Sequence, residues 1–176
     1  MRGWMAAAMI VGMGLTSATA SSQSALPRIS VREAMADHIN PATLAVWDVT
    51  NTALADDGGL DPRLMDDAAW EKLAGAASVL HSDAALLSAQ PKLQVVQPGR
   101  EAGQSIAESA YSAEQIQRFI DADPAAFREM AQQLSLTAAE LAKAAQERDA
   151  RRAGETAGQI DALCESCHQK FWYPET

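Results

Sequence analysis

The sequence predicts an all-α protein, folded as an antiparallel four-helix bundle. Alanine is abundant whereas valine and isoleucine are scarce, a composition that favours helix over sheet. Four segments of about 20 residues carry apolar residues spaced three and four apart, and no segment alternates convincingly with a period of two. The length of 176 residues suits one domain preceded by a short leader.

The first 20 residues are predicted to be a signal peptide that is cleaved. Arg2 supplies a positive charge, and residues 4–15 form an apolar run that is too short to span a membrane. Ala18-Thr19-Ala20 places small residues where signal peptidase requires them. Residues 21–27 are then a flexible N-terminus and residues 28–176 the bundle domain. We therefore expect a periplasmic protein without stable membrane insertion.

The first helix of the bundle is predicted over residues 29–54. Met35, Ile39 and Val46 lie on its inward face, because they follow one another at multiples of the helical repeat. Pro41 interrupts the pattern, since proline lacks an N–H group and clashes with the preceding turn. The sequence therefore predicts a kink or a break in this helix.

The second helix is predicted to start at Asp61 as N-cap, with Pro62 in the first helical position. Its three-four pattern continues to about Ala89. Residues 90–112 are the least regular part of the chain because prolines and glycines recur there. Within them, residues 93–96 are compatible with a short extended piece.

Capping residues mark the remaining helices. Ser112 and Gln115 form a capping box for a short helix, and Asp123-Pro124 repeats the pattern of cap and proline at the start of the third long helix. The fourth long helix is predicted over residues 150–171. The segments that join the four long helices are short or modest in length, so we expect neighbouring helices to be antiparallel.

The charge balance excludes some classes of partner. The chain has 14 basic and 23 acidic residues, a net charge of −9, and removal of Arg2 with the leader makes it −10. Nucleic acid is not an expected partner, and neither is an anionic membrane surface, because both would be repelled.

The most informative segment is Cys164-Glu165-Ser166-Cys167-His168, near the C-terminus. This Cys-x-x-Cys-His motif is typical of covalent haem attachment. Two thiols one helical turn apart can each bond a vinyl group of one porphyrin, and the adjacent histidine can ligate the iron. The sequence therefore predicts one haem c on Cys164 and Cys167, with His168 as the fifth iron ligand.

Three other interpretations of the two cysteines fit less well. A thioredoxin-like redox pair needs a βαβ context and a helix N-terminus. A zinc site needs two further ligands, and only His38 and His81 are available, far away in sequence. A structural disulfide across a single helical turn has no evident purpose.

A haem-attachment motif at the C-terminal end of four predicted helices resembles the class II c-type cytochromes. This family comprises cytochrome c prime and its low-spin relatives of the cytochrome c-556 type. The resemblance implies an all-helical bundle whose last helix carries the haem. In the family, an arginine in the first helix is followed by the residue that faces the distal side of the haem. Here Val31-Arg32-Glu33-Ala34-Met35 resembles that segment, with a spacing of three instead of the usual four.

The resemblance leaves three possibilities for the sixth iron position. Low-spin members have methionine there, which makes Met35 the favoured ligand. High-spin members leave the position open, and Met35 would then be a core residue. His38, one turn later, is an alternative ligand because imidazole commonly binds haem iron.

Three further residues are candidates for contacts with the haem. Trp47 and Phe171 are predicted to pack in the core or against the porphyrin, which needs an apolar pocket. Arg32 could pair with a haem propionate, although its position also suits a surface arginine.

These features predict an electron carrier and not an enzyme, because no catalytic acid–base constellation is evident beyond His38. Its partner would be a periplasmic or membrane-bound redox protein, and homodimers are common in the family it resembles. The principal alternative is a high-spin protein that binds nitric oxide or carbon monoxide. A third possibility is a haem-bearing subunit of a respiratory complex.

Overall fold

The computed structural model describes residues 27–99 and 111–174. The predicted signal peptide, most of the predicted flexible N-terminus and part of the irregular stretch lie outside these residues. A first helix consists of α1 (Val31–Glu33), a π-helical turn (Ala34–Ile39) and α2 (Asn40–Ala53). The elements that follow are a 3₁₀ turn (Pro62–Leu64), α3 (Asp67–Ser88), α4 (Ala113–Ala122), α5 (Pro124–Glu147) and α6 (Ala150–Phe171).

Four long helices form the predicted bundle: the first helix, α3, α5 and α6. Neighbouring helices run antiparallel, as the pairing of their ends shows. His81 on α3 contacts Ser135 on α5, while Ser88, further along α3, bonds the earlier residue Gln132. Helix α3 packs most extensively on α5, whereas α2 and α6 touch little. The bundle is therefore more open between the first and the last helix.

The core follows the predicted apolar faces. Its largest fully buried apolar side chains come from the first helix, α3, α4, α5, α6 and the segment before α4. They are Val46, Leu73, Leu80, Leu87, Val95, Ile116, Ile120, Leu141 and Ile160. Removal of this apolar surface from water is the main contribution to the stability of the bundle.

Most helix ends agree with the sequence prediction. Ser112 and Gln115 form the predicted capping box, the Asp123 side chain caps α5, and α6 has the predicted bounds. The start of α3 was predicted too early. Asp61 caps only the 3₁₀ turn, and the α-helix begins six residues later under the cap of Asp66. An Asp-Pro pair satisfies a 3₁₀ turn as well as an α-helix, since both need the same first N–H acceptor.

The predicted interruption at Pro41 takes an unexpected form. The first helix does not break; helical residues continue through Asn40 and Pro41 into α2. The irregularity is the π-helical turn immediately before them, in which the N–H of Asn40 bonds the carbonyl of Met35. A wider turn accommodates the proline without ending the helix.

Residues 93–96 form no strand. They are irregular, but Leu93 and Val95 are buried, and the carbonyls of Gln94 and Val95 accept hydrogen bonds from the N–H groups of Val31 and Arg32. This segment thus satisfies two N–H groups that have no partner within the helix. Among the described residues, no helix has the length and hydropathy needed to cross a membrane.

Candidate haem-attachment site

Helix α6 places the cysteine motif on its inward side. It is a regular helix of 22 residues whose first turn is capped by the Asp149 side chain. Cys164 and Cys167 are three residues apart and therefore share one face. Both are half-buried, and His168 beside them is half-buried as well. All three face space within the bundle and not bulk water.

That space is a cleft of about 80 Å³. Its lining is predominantly apolar and comes from all four long helices. The residues are Met35, Ile39, Asn40, Thr43, Trp47, Ala84, Leu87, Phe127, Met130, Ala131, Leu134, Leu163, Cys164, Cys167 and His168.

The two cysteines lack the lowered thiol pKa of a redox-active pair. They form no disulfide. Burial raises the pKa of each thiol to about 11, with a smaller contribution from Asp161 at Cys164 and from Cys164 at Cys167. Redox-active Cys-x-x-Cys pairs have lowered pKa values in electropositive surroundings. Two reduced thiols beside an apolar cleft fit the covalent attachment of a porphyrin.

The surroundings of His168 favour its neutral imidazole form. Burial lowers its pKa, opposed in part by the Glu165 carboxylate. The rings of Trp172 and Tyr173 lie against it, with centroids 6.4 and 5.9 Å from the imidazole. Tyr173 also donates a hydrogen bond of 2.7 Å to Glu165. The two C-terminal aromatics thus cover the histidine, as expected of residues that close the end of the bundle.

Two methionines face the cleft from opposite parts of the chain. Met35, in the π-helical turn, and Met130, on α5, both line it and are half-buried. Only Met35 also lines the adjoining mouth and a small hollow behind the motif, and His168 lines both of these as well. Met35 and His168 therefore both line the cleft, its mouth and the small hollow.

His38 is not brought to the cleft. Its side chain is 47% exposed, and its Nδ1 atom lies 3.6 Å from Asp83 Oδ1 on α3. It lines neither the cleft nor the mouth. The geometry places this histidine at the surface of the bundle, beside Asp83.

The mouth of the cleft is more polar. It has a volume of about 300 Å³ and is lined by Arg32, Met35, Ala36, Asn40, His168, Trp172 and Tyr173. The Nε atom of Arg32 is buried and has no hydrogen-bond partner among the described residues. An unsatisfied buried donor is costly, so this atom suits an acceptor supplied by a bound group.

The predicted aromatic contacts divide into two groups. Trp47 lines the cleft and donates a hydrogen bond of 2.5 Å to Asp161 on α6. Phe171 does not line the cleft; it is buried behind the motif and packs edge-to-face on Phe127, with ring centroids 5.3 Å apart. Phe171 therefore supports the position of His168 and does not itself border the cleft.

A metal site built from side chains alone is not evident. Within residues 27–99 and 111–174, no group of three or more histidine, cysteine, aspartate or glutamate residues could hold a metal ion. The zinc alternative therefore gains no support from the described part of the structure. The donor set, the apolar walls and the unpartnered arginine together fit a haem.

A C-terminal helix with two thiols and an imidazole beside an apolar cleft fits the attachment of a c-type haem. A comparison with protein-family models matches residues 100–172 to the family described as Cytochrome C'. This match confirms the resemblance to the class II c-type cytochromes over the C-terminal part of the chain. It includes the whole attachment motif but not Met35. Searches of curated proteins and of solved structures found no match.

Several features of the site were not predicted from sequence. Thr43, Ala131 and Leu134 contribute to the cleft walls, but their side chains gave no signal distinct from ordinary core positions. The π-helical turn also went unpredicted. Pro41 was its signal, since a proline inside a helix requires some local change in helical hydrogen bonding.

Proposed function

We propose that this protein is a periplasmic monohaem cytochrome of the c type that carries single electrons. Cys164 and Cys167 hold the haem covalently, His168 is the fifth iron ligand and Met35 the sixth. The observation that carries this proposal is the meeting of Met35 and His168 around one apolar cleft into which both thiols open. A bound haem would supply an iron that exchanges one electron between its ferrous and ferric forms.

The surroundings of the cleft suit this role. Apolar walls exclude water from the iron and so limit solvent reorganisation, and a methionine ligand raises the reduction potential relative to a second histidine. The small side chains Ala84 and Ala131 leave room between the helices for a planar group. A neutral His168, favoured by burial, has a free lone pair for iron.

Arg32 is proposed to bind a haem propionate. Its buried Nε has no partner in the described residues, and it lines the same mouth as Met35 and His168. A carboxylate there would accept a charge-assisted hydrogen bond, which is stronger than a neutral one. The haem edge would then face the mouth, where a redox partner can approach.

The proposed function also requires export of the chain and a redox partner. The N-terminal signal pattern directs the chain to the compartment where c-type haem is attached, and a periplasmic or membrane-bound redox protein would exchange the electron. A homodimer is consistent with the resemblance. Each of these points needs its own measurement, beginning with fractionation of cells that express the full chain.

The decisive experiment is the visible spectrum of the purified holoprotein, with single substitutions at three candidate ligands. We expect a low-spin wild-type spectrum. Met35→Ala should become high-spin and bind carbon monoxide while the haem stays attached. Met130→Ala is the matched control because it removes a thioether from the same cleft, and it should stay low-spin. His38→Ala should also leave the spectrum unchanged.

The outcomes separate the two main functions. A wild-type protein that is already high-spin and binds carbon monoxide would overturn electron transfer through a six-coordinate iron and support gas binding. A spin change in Met130→Ala or His38→Ala but not in Met35→Ala would assign the sixth ligand elsewhere.

A further inference from the structure

The π-helical turn determines which side chains of the first helix face inward. Ala34 and Ile39 are both buried, at 0% and 3% exposure, although they are five residues apart. In a regular α-helix, residues five apart point about 140° away from each other. The wider π-helical turn, with hydrogen bonds between residues five apart, brings both to the same side.

Pro41 opposes the regular alternative. In an α-helix its ring would press on the carbonyl of Asp37, four residues earlier, and it could not donate a hydrogen bond to that carbonyl. In the observed turn, the preceding N–H, from Asn40, instead bonds Met35 five residues back. The proline thus favours the π-helical arrangement over the α-helical one.

The other end of the segment is fixed by tertiary contacts. The N–H groups of Val31 and Arg32 bond the carbonyls of Gln94 and Val95 at 2.8 and 3.1 Å. Downstream, Val46 is buried in the bundle core. The π-helical turn lies between these two attachments.

We propose that Pro41 is a positioning residue for the sixth iron ligand, because it maintains the π-helical turn that presents Met35 to the cleft and its mouth. This inference rests on the proposed role of Met35. Conversion of the turn to a regular helix would rotate the residues before it by up to about 100° relative to α2. Ala34 would leave the core, and Met35 would take its inward direction, in line with Ile39 and away from the mouth that Met35 now shares with His168.

The first test is the spectrum of Pro41→Ala holoprotein. We expect a partly or wholly high-spin iron and about a tenfold tighter apparent binding of carbon monoxide, as the fraction of molecules with an open position rises. Met35→Ala/Pro41→Ala should resemble Met35→Ala alone. Pro124→Ala is the matched control: Pro124 is at the first position of α5, where no N–H partner is required. A low-spin Pro41→Ala protein with wild-type carbon monoxide binding would overturn the proposal.

A second measurement reports on the turn independently of iron ligation. In the holoprotein, both native cysteines are consumed by thioether bonds, so an introduced cysteine is the sole free thiol. Ala34→Cys should react slowly with a thiol reagent, and at least about tenfold faster when combined with Pro41→Ala, because opening becomes more populated. Asp37→Cys, at an exposed position, should react fast in both backgrounds.

The two measurements distinguish a failure of this inference from a failure of the proposed function. If Met35→Ala changes the spin state but Pro41→Ala changes neither spectrum nor labelling, Met35 remains the ligand and Pro41 has no positioning role. If Met35→Ala leaves the spectrum unchanged, Met35 is not the ligand and the inference falls with that assignment, even where labelling shows that the turn has changed.

Discussion

The first helix and α6 contribute the two sides of the cleft in different ways. Helix α6 is regular from Ala150 to Phe171 and carries Cys164, Cys167 and His168 within five residues. The first helix reaches the cleft through a π-helical turn that holds Met35. The family match includes the whole attachment motif and none of the first helix.

Local sequence is sufficient to place the residues of the attachment motif on one face of α6. Residues three and four apart on a regular helix share a face whatever the rest of the chain does. The side chains of the attachment motif are therefore brought together by helix α6 alone. Met35, in contrast, lies in a π-helical turn whose preceding residues, Val31 and Arg32, bond the carbonyls of Gln94 and Val95 far along the chain. The distal side of the site is set by tertiary structure.

The largest expected effect comes from removing the attachment motif. Cys164→Ala/Cys167→Ala should abolish covalent haem, because no thioether can form. Denaturing electrophoresis with haem staining measures this directly, since a haem held only through its iron is lost on denaturation. Ser166→Ala, within the same motif, should retain the stain. An unstained wild-type band, after export with the maturation machinery present, would contradict the central assignment.

A second prediction tests how tightly α6 is packed at its other end. A Cβ atom at Gly154 would lie 2.6 Å from the carbonyl oxygen of Gly58 and 2.7 Å from backbone atoms of Gly59. Gly154→Ala should therefore lower the free energy of unfolding by about 2 kcal/mol, because backbone atoms cannot move aside as a flexible side chain could. Denaturant unfolding provides the measurement.

Gly158 is the control on the same helix. A Cβ atom there meets nothing within 4 Å. Gly158→Ala should raise the free energy of unfolding by about 0.5–1 kcal/mol, since alanine is the better helix former. Equal effects of the two substitutions would show that the close approach at Gly154 is relaxed in solution.

A smaller effect concerns the hydrogen bond that joins the first helix to α6. The indole N–H of Trp47 donates to Asp161 at 2.5 Å, across the open side of the bundle. Asp161→Ala should cost about 0.5–1.5 kcal/mol, measured by thermal or denaturant unfolding of the holoprotein. Asp161→Asn keeps an acceptor oxygen and should retain most of that stability. If both variants match the wild type, the bond adds nothing to the closure of the cleft.

The smallest expected effect is electrostatic and depends on pH. Lys170 on α6 bonds Asp123 at 2.7 Å, and this contact, with the N–H of Ala126, lowers the pKa of the Asp123 carboxyl from its usual 3.8. Because the folded pKa is lower than the unfolded one, the stabilisation is full above that usual value and is lost as the pH falls through the folded pKa.

Asp123→Asn should therefore be slightly less stable than the wild type at neutral pH. The difference should shrink below about pH 4 and in high salt, because the pair is exposed and screened. Asp121→Asn, which removes a carboxylate bonded by the Gln117 amide, is the control. Denaturant midpoints that differ equally at neutral and acidic pH would argue against the ion pair.

The sequence predicted most of the bundle because its signals are local. Capping residues at Ser112 and Asp123 set helix starts, and the three-four pattern gave the buried faces of α5 and α6. The same reasoning misplaced the start of α3, since Asp61-Pro62 and Asp66-Asp67 are both acceptable beginnings. The structure uses Asp61 for the 3₁₀ turn and Asp66 for the α-helix.

The sequence by itself determined that Cys164, Cys167 and His168 lie together, because one turn of one helix holds them. The sequence also identified Met35 as a candidate ligand, but helical periodicity alone did not give its surroundings correctly. Periodicity placed Met35 in line with Ile39, whereas in the structure Ala34 is the buried partner of Ile39 and Met35 borders the cleft. Only the tertiary structure decided this, since the register of the first helix is fixed by contacts with residues about 60 positions away in the chain and by the way a proline is accommodated inside a packed helix.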